Sequence, residues 1–317
     1  MAVTAFVFPG QGSQSVGMGA ALAATSPAAA SVFEAADAAL GESISRLAWD
    51  GPAETLDLTR NAQPALVATS IAYLAALRER RAAGGLAPIE PRHVAGHSMG
   101  QYSALVATGA LSLADAVRLV RVRGELMQAS GSGRDGAMAA IIGLDDARFP
   151  GVIAAGSAAG VVTVANRNSP GQVVISGERA AVDAATAAAK AAGARRAIVL
   201  PVSVAAHSTL MAEAAAGMER ALAPVAFADP HPSLLANADA HPLRTADDAR
   251  GELVEHLTRG VDWIAIVERM RAEGVDTFIE VGPGRVLTGL IRRIAPDAMA
   301  IALDDTGSPD GLAAVDL

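Results

Sequence analysis

Residues 93–105 read HVAGHSMGQYSAL, and this stretch decides the fold. It opens on apolar residues, passes through a Gly-x-Ser-x-Gly motif (96–100) and continues into an apolar segment (101–109) that predicts a helix. A nucleophile elbow needs this order of strand, turn and helix. The glycines permit a turn in which bulkier side chains would clash, and the turn lifts the Ser98 hydroxyl out of the sheet. We therefore predict a candidate nucleophile at Ser98, beside a helix N-terminus that offers N–H groups to a developing oxyanion.

Strand-like and helix-like segments alternate outside this stretch. Apolar runs at 3–8 and 277–281 predict further strands, and the compositions of 14–40 and 63–83 are typical of helices. This alternation is the pattern of a layered α/β fold with a mainly parallel sheet.

The middle of the chain has a different pattern, in which strands predominate. The predicted elements there are strands at 137–144, 172–177 and 195–202 and a helix at 179–192. A short β-rich unit with crossing helices fits a small α+β subdomain. The Gly/Ser-rich segment 131–136 predicts the entry hinge of this unit, and the exit is predicted near Pro201.

Composition limits the class of protein. The chain has 317 residues, 51% of them hydrophobic, which is ample for a large buried core. A formal net charge of −8 argues against a general nucleic-acid binder. The absence of cysteine excludes disulfides and thiolate chemistry, and no His/Asp/Glu cluster has the spacing of a metal site. The N-terminus does not resemble a signal peptide and no apolar run suits a bilayer, so we expect a cytoplasmic protein without membrane or nucleic-acid partners.

A serine nucleophile needs a base, and the chain contains six histidines. His207 follows an apolar segment and begins a helical run, a position that presents an imidazole to a cleft. His97 adjoins the serine, but a neighbouring side chain on a sharp turn usually points elsewhere. His231 and His241 lie among loop residues, where surface positions are expected. The pattern favours His207, while an ordinary structural role stays open for each histidine.

Three arginines follow the motif on a predicted helix. Arg118 and Arg121 are three residues apart and share a face, and Arg123 points to another face. A solvated face is one reading of such a group. An inward-facing arginine is the other, and it needs a carboxylate partner because a buried unpaired guanidinium is costly. A substrate carboxylate in a bidentate pair can be that partner.

Eight segments in a fixed order carry a more specific signal than any single motif. They are FVFPGQGSQ (6–14), QPAL (63–66), GHSMGQYSAL (96–105), RGELMQ (123–128), GAMAAIIGL (136–144), NRNSPGQVVISG (166–177), PVSVAAHSTLM (201–211) and EVGPGRVLTGL (280–290). With them the chain resembles malonyl-CoA:acyl-carrier-protein transacylases of fatty-acid synthesis and the related acyltransferase domains of polyketide synthases. The resemblance covers nearly the whole chain.

The resemblance implies roles for individual residues. Ser98 is the expected nucleophile and His207 its base. The backbone N–H groups of Gln11 and Met99 are the expected oxyanion hole, and Arg123 is expected to pair with the free carboxylate of the malonyl group. Further residues are expected to line or support the pocket: Gln63, His97, Asn166, Ala206 and His256.

The resemblance also implies a fold and a reaction. The expected fold is a large α/β-hydrolase-like domain (1–131 and 202–317) that holds a small ferredoxin-like subdomain (132–201), with the cleft between them. The expected reaction transfers a malonyl group from malonyl-CoA to the phosphopantetheine thiol of an acyl carrier protein. It proceeds by a ping-pong mechanism through a Ser98 ester, with a coenzyme A thioester as substrate and no bound cofactor or metal.

Three positions depart from the commonest family pattern. Gln101 stands where glutamate usually follows the motif, and we expect this to alter local charge more than catalysis. His256 stands where many relatives have glutamine, at a position whose backbone carbonyl orients the catalytic histidine. Ala206 stands where malonyl-selective polyketide acyltransferases often have phenylalanine, so the choice between malonyl and alkylmalonyl groups stays open.

Other functions remain alternatives. A serine thioesterase or esterase shares the elbow, but it usually carries an acid between serine and histidine and a histidine near the C-terminus. A stand-alone acyltransferase of a polyketide assembly line, or the malonyl loader of a malonate decarboxylase, differs from the expected enzyme by context alone. A catalytically dead scaffold is disfavoured by the intact set of Ser98, His207 and Arg123.

Overall fold

The computed structural model describes residues 2–131, 135–200, 202 and 204–304, and within them the chain has a mixed α/β fold with two sheets. Pro201 and residues 132–134 of the predicted hinge at 131–136 therefore lie outside the described residues. The strands in chain order are β1 Thr4–Phe8, β2 His93–Gly96, β3 Gly136–Ile142, β4 Val162–Ser169, β5 Gln172–Glu178, β6 Arg196–Val199, β7 Leu234–Leu235, β8 Pro242–Leu243, β9 Val261–Asp262, β10 Thr277–Glu280 and β11 Met299–Ala302.

The helices surround these strands. In chain order they are α1 Ala20–Thr25, α2 Pro27–Leu40, α3 Ile44–Asp50, α4 Ala53–Leu56, α5 Thr59–Ala83, α6 Gly100–Ala107, α7 Leu113–Gly131, α8 Phe149–Ser157, α9 Arg179–Ala191, α10 Ala212–Leu222, α11 Ala246–Glu255, α12 Trp263–Ala272 and α13 Val286–Ile294. Within the described part of the chain, no helix is both long and apolar enough to cross a membrane.

The larger sheet has the strand order β11-β10-β1-β2-β7-β8 and is parallel except for the β7–β8 pair. Every residue of β1 is buried, as expected for a central parallel strand with helices on both faces. Alternation along β1 places Phe6 and Phe8 in one core cluster and Ala5 and Val7 in the other. The predicted parallel α/β sheet is therefore confirmed.

The smaller sheet has the order β6-β3-β5-β4-β9 and is antiparallel except for the β4–β9 pair. Its first four strands and two helices follow the order β-α-β-β-α-β along the chain. Ile141 and Ile175 pack against the helices on one face, whereas Met138 and Val174 face the cavity described below. The fifth strand, β9, comes from the later part of the chain and pairs in parallel with β4 at the edge of this sheet.

Two expectations from the sequence need correction. The region 14–40 is not one helix, because residues 14–19 are not helical and Gly17 and Gly19 have positive φ angles of 96° and 77°. A break at Ser26 then separates α1 from α2, and the Ser26 side chain accepts a hydrogen bond from Ala29 N–H as an N-cap. The strand β4 was not predicted, because its polar residues and two register shifts interrupt the alternation of apolar side chains.

Candidate active site

Ser98 lies on the turn between β2 and α6, as the motif predicts. Its φ angle is 53°, in the left-handed region that a non-glycine residue rarely adopts. The flanking glycines are required by close backbone contacts. A Cβ atom on Gly96 would lie 1.9 Å from the carbonyl carbon of Gly100, and one on Gly100 would lie 2.3 Å from the carbonyl oxygen of Phe8. The turn is thus a strained elbow in which positions 96 and 100 have room only for glycine.

His207 is placed to act on Ser98. The Ser98 Oγ lies 2.8 Å from His207 Nε2. On the other side of the ring, His207 Nδ1 lies 2.6 Å from the backbone oxygen of His256 and 3.1 Å from that of Arg259. Both oxygens are acceptors only, so Nδ1 carries the proton and Nε2 is free to accept the Ser98 hydroxyl. Two backbone carbonyls therefore occupy the place that a carboxylate has in a Ser-His-Asp triad.

The surroundings keep His207 neutral. Its side chain is buried, and burial together with the nearby positive charge of Arg123 lowers its pKa to about 4. The hydrogen bonds from Nδ1 to the two carbonyls oppose this shift but do not overcome it. At neutral pH the imidazole is therefore uncharged and able to accept a proton.

Arg123 lies on α7 and is 1% exposed. Its Nη2 donates to Ser98 Oγ at 3.3 Å. Among the described residues, no carboxylate lies within ion-pair distance of it and its Nε has no hydrogen-bond partner. In contrast, Arg118 is exposed on the same helix and Arg121 pairs with Glu42. Of the three arginines, Arg123 is the one that faces inward beside the serine.

A cavity of about 420 Å³ opens in front of Ser98. One wall is apolar and consists mainly of the smaller sheet and the segment after it: Met127, Met138, Val174, Leu200, Val202, Val204 and Ala206. The rest of the lining is mainly polar and includes most of the predicted site residues: Gln11, His97, Ser98, Met99, Arg123, Asn166 and His207. The cavity thus combines an apolar surface with a cationic group and a nucleophile.

Gln63 and His256 support the site from behind rather than lining the cavity. Gln63 is fully buried, and its Nε2 lies 3.4 Å from Gln11 Oε1, next to the loop that carries the predicted oxyanion donor. His256 contributes its backbone oxygen to His207, while its ring nitrogens have no hydrogen-bond partner within the described ranges.

The ring of His97 reaches the smaller sheet. Its Nε2 lies 2.9 Å from Asn168 Oδ1 on β4, so the elbow contacts the smaller sheet. Its Nε2 is thus engaged by Asn168, and the residue still lines the cavity.

Two buried residues behind the elbow were not predicted from the sequence. The side chain of Asn237 accepts from Ser98 N–H at 2.7 Å and donates to the Gly96 carbonyl at 2.9 Å. The Glu252 carboxylate accepts from Asn237 N–H at 2.8 Å and from Gln101 Nε2 at 3.1 Å. Asn237 lies in an alanine-rich turn and Glu252 on a helix that reads as polar, so neither carries a recognisable motif.

Comparison with known proteins agrees with this geometry. The family described as "Acyl transferase domain" matches residues 5–301. The malonyl CoA-acyl carrier protein transacylase of Escherichia coli (strain K12) is 47% identical over 310 residues, which are 98% of this chain and 97% of that protein.

Solved structures show the same likeness. An acyl-carrier-protein-S-malonyltransferase from Bartonella henselae has a TM-score of 0.91 and 43% identity, and the match covers 98% of this chain and 97% of that one. A malonyl-transacylase solved in complex with its type II polyketide acyl-carrier protein has a TM-score of 0.91 and 42% identity, over the same shares of the two chains. The chain therefore belongs to the acyl transferase domain family and, within it, to the malonyl CoA-acyl carrier protein transacylases.

Proposed function

We propose that this protein transfers a malonyl group from malonyl-CoA to the phosphopantetheine thiol of an acyl carrier protein, for fatty-acid biosynthesis. One observation carries the proposal: Arg123 is buried beside Ser98 without a carboxylate partner in the described part of the chain. A buried guanidinium is stable when it is paired, and a malonyl thioester brings a free carboxylate next to its reactive carbonyl. The relatives named as malonyl transacylases support the same reaction.

The first half-reaction forms an ester on the enzyme. Ser98 Oγ attacks the thioester carbonyl while His207 Nε2 takes its proton. The backbone N–H groups of Gln11 and Met99 stabilise the oxyanion of the tetrahedral intermediate, and removing one such donor costs about 2.7–4 kcal/mol in comparable enzymes. When the intermediate collapses, the carbon–sulfur bond breaks, and coenzyme A leaves as a thiol with the proton from His207.

The second half-reaction reverses these steps with a different thiol. The phosphopantetheine thiol of the carrier protein enters the cavity and gives its proton to His207. Its sulfur attacks the ester carbonyl, and Ser98 regains a proton as the malonyl group leaves. Because coenzyme A departs before the carrier protein reacts, the kinetics are ping-pong.

Arg123 selects and fixes the acyl group. A bidentate pair between its guanidinium and the malonyl carboxylate favours acyl groups that carry a carboxylate. The same pair holds the ester in one orientation, which disfavours attack by water. Gln63, His97, Asn166, Ala206 and His256 complete or support the pocket in this proposal.

The finer architecture is part of the proposal. Residues 1–131 and 202–317 form an α/β-hydrolase-like catalytic domain, and residues 132–201 form a ferredoxin-like subdomain. The β-α-β-β-α-β order of the smaller unit supports this division, since that order is typical of the ferredoxin-like motif. A cytoplasmic location is also proposed, is compatible with the absence of cysteine, and is tested by cell fractionation.

The decisive experiment measures the intact mass of the protein after separate incubation with malonyl-CoA, methylmalonyl-CoA and acetyl-CoA. We expect a malonyl adduct that maps to Ser98, is lost in Ser98→Ala and disappears when a phosphopantetheinylated carrier protein is added. Steady release of free acid without an adduct would support a thioesterase instead. Preference for an alkylmalonyl group would support a polyketide acyltransferase.

A further inference from the structure

The back of the nucleophile elbow contains a buried hydrogen-bonded network of side chains that the proposed mechanism does not use. Gln101 and Asn237 are fully buried, and Glu252 is 7% exposed. All three lie behind the turn, and none of them lines the cavity.

Two amide side chains hold the turn directly. Asn237 accepts from Ser98 N–H and donates to the Gly96 carbonyl, at 2.7 Å and 2.9 Å. Gln101 Oε1 accepts from Gly96 N–H at 2.9 Å. Because Ser98 N–H is directed to Asn237, it is not available to an oxyanion in the cavity.

Both amide residues are tied to one oxygen atom. Glu252 Oε1 accepts from the backbone N–H of Asn237 and from the side-chain amide of Gln101, at 2.8 Å and 3.1 Å. The Gln101 amide also donates to the Leu235 carbonyl at 2.9 Å. Removing Glu252 would therefore leave unpaired the backbone N–H of Asn237 and one of the two N–H bonds of that amide, at a cost of about 1–3 kcal/mol for each. The geometry of the elbow therefore depends on an atom that touches neither Ser98 nor the cavity.

Glu252 also lies on the helix whose end orients the base. It is in the last turn of α11, four residues before His256, whose backbone oxygen accepts from His207 Nδ1. One helix end thus contacts both halves of the catalytic pair, the elbow through Glu252 and the imidazole through His256. A shift of this helix end would change the distance between Ser98 Oγ and His207 Nε2.

We infer that Glu252 is a positioning residue for the acyl transfer. Through Gln101 and Asn237 it keeps the strained turn in place, so that Ser98 Oγ stays within hydrogen-bond distance of His207. What it supplies is a hydrogen-bond acceptor, and its charge is not required. The inference rests on the proposed function only in that malonyl-CoA is the substrate with which the acylation rate is measured.

The test compares Glu252→Ala with Glu252→Gln, which keeps the acceptor oxygen. The readouts are the single-turnover rate and apparent KM of acylation by malonyl-CoA, and the rate of Ser98 labelling by phenylmethylsulfonyl fluoride. In the labelling, Ser98 Oγ displaces fluoride from sulfur and His207 takes the proton, so Ser98 activation is measured without the natural substrate. Glu252→Ala is expected to slow both reactions by about 10²-fold, the effect typical of a misplaced reacting group, with little change in KM. Glu252→Gln is expected to recover most of the lost rate.

A control separates positioning from general stability. Asp37 is a helical carboxylate that accepts from the backbone N–H and the hydroxyl of Ser45, and it does not line the cavity. Asp37→Ala is expected to lower the melting temperature without changing either rate. Wild-type rates in Glu252→Ala, or equal losses in Glu252→Ala and Glu252→Gln, would overturn the inference.

A second variant keeps the test valid if Glu252→Ala does not fold. Gln101→Ala leaves Glu252 in place but removes the side chain that joins it to Gly96 N–H, and it is expected to slow both reactions. Wild-type rates in Gln101→Ala would contradict the inference. If malonyl-CoA gives no adduct while sulfonyl fluoride labelling still depends on Glu252, the proposed function fails and the positioning role stands.

Discussion

The two sides of Ser98 differ in how their polar groups are satisfied. Behind it, Gln101, Asn237 and Glu252 pair with one another and with the backbone of the elbow. In front of it, the guanidinium of Arg123 is equally buried, yet within the described ranges it has no carboxylate partner. The paired side holds the elbow, and the unpaired side has the group that the proposed function assigns to a substrate carboxylate.

The difference has an energetic reason. Buried polar groups that are fully paired make a rigid scaffold, because breaking any one bond leaves a costly orphan. A buried cation without a counter-ion lowers stability, and burial accordingly lowers the pKa of Arg123. In the proposed function a ligand carboxylate removes this penalty on binding, and the unpaired side then contributes free energy to substrate recognition.

The largest effect is expected from removing the Ser98 hydroxyl, which lies between the paired and the unpaired side. Ser98→Ala takes away the nucleophile and should lower transfer by about 10⁴-fold or more, as in other serine enzymes. Quenched assays of malonyl transfer from malonyl-CoA to a carrier protein measure this loss of rate. The double variant Ser98→Ala/His207→Ala should be no slower, because the two residues act as one unit. A clearly slower double variant would show that His207 acts independently of Ser98.

The next effect comes from the unpaired side. Arg123→Ala should lower kcat/KM for malonyl-CoA by about 10²–10³-fold, the range expected when a buried charge pair loses one partner, and should raise the relative acceptance of acetyl-CoA. The kcat/KM of Arg123→Lys should lie between those of the wild type and Arg123→Ala, since lysine keeps the charge but cannot form a bidentate pair. Arg118→Ala, on the exposed face of the same helix, is the matched control. An unchanged ratio of malonyl to acetyl transfer in Arg123→Ala would refute the carboxylate pair.

A smaller effect is expected on the apolar wall of the cavity. Ala206 lies beside His207 and lines the cavity, so Ala206→Phe should fill space next to the acyl group. Transfer of methylmalonyl relative to malonyl should fall by about tenfold or more, within the range for one methyl group in a pocket. Competition assays with both thioesters measure the ratio, and Ala206→Gly should not lower it. An unchanged ratio in Ala206→Phe would place the α-substituent elsewhere.

The cavity side was largely predictable because its residues lie in short, ordered motifs. The Gly-x-Ser-x-Gly segment with its flanking strand and helix predicts the elbow at Ser98, and apolar runs predict the strands on either side of the cavity. The helix face of Arg123 was left open between solvent and interior, and the structure places it inside. Each of these motifs consists of residues that are adjacent in the chain, so it can be recognised from a single sequence.

The paired side was not predictable, because it consists of single polar residues brought together by the fold. Asn237 is 139 residues from Ser98 along the chain, and Glu252 is 151 residues from Gln101. No periodicity marks an isolated asparagine in an alanine-rich turn. The expectation that Gln101 in place of glutamate alters charge more than catalysis was made without this network, and it stays a prediction that is tested by measuring the transfer rate of a Gln101→Glu variant.

The smallest expected effect is a shift in pH dependence, and it joins the two sides through His207. The base must be neutral to accept a proton, so reactivity is lost as pH falls through its pKa of about 4. Arg123 is one cause of that low value, since a nearby positive charge disfavours the imidazolium. Arg123→Ala should therefore move the acid limb of Ser98 labelling to higher pH, while burial keeps it below the ordinary value of 6.5. A neutral sulfonyl fluoride is the suitable probe, because the malonyl carboxylate itself titrates in acid. Arg118→Ala should leave the limb unchanged, and a limb in Arg123→Ala at or below the wild-type position would show that the arginine does not act on the base.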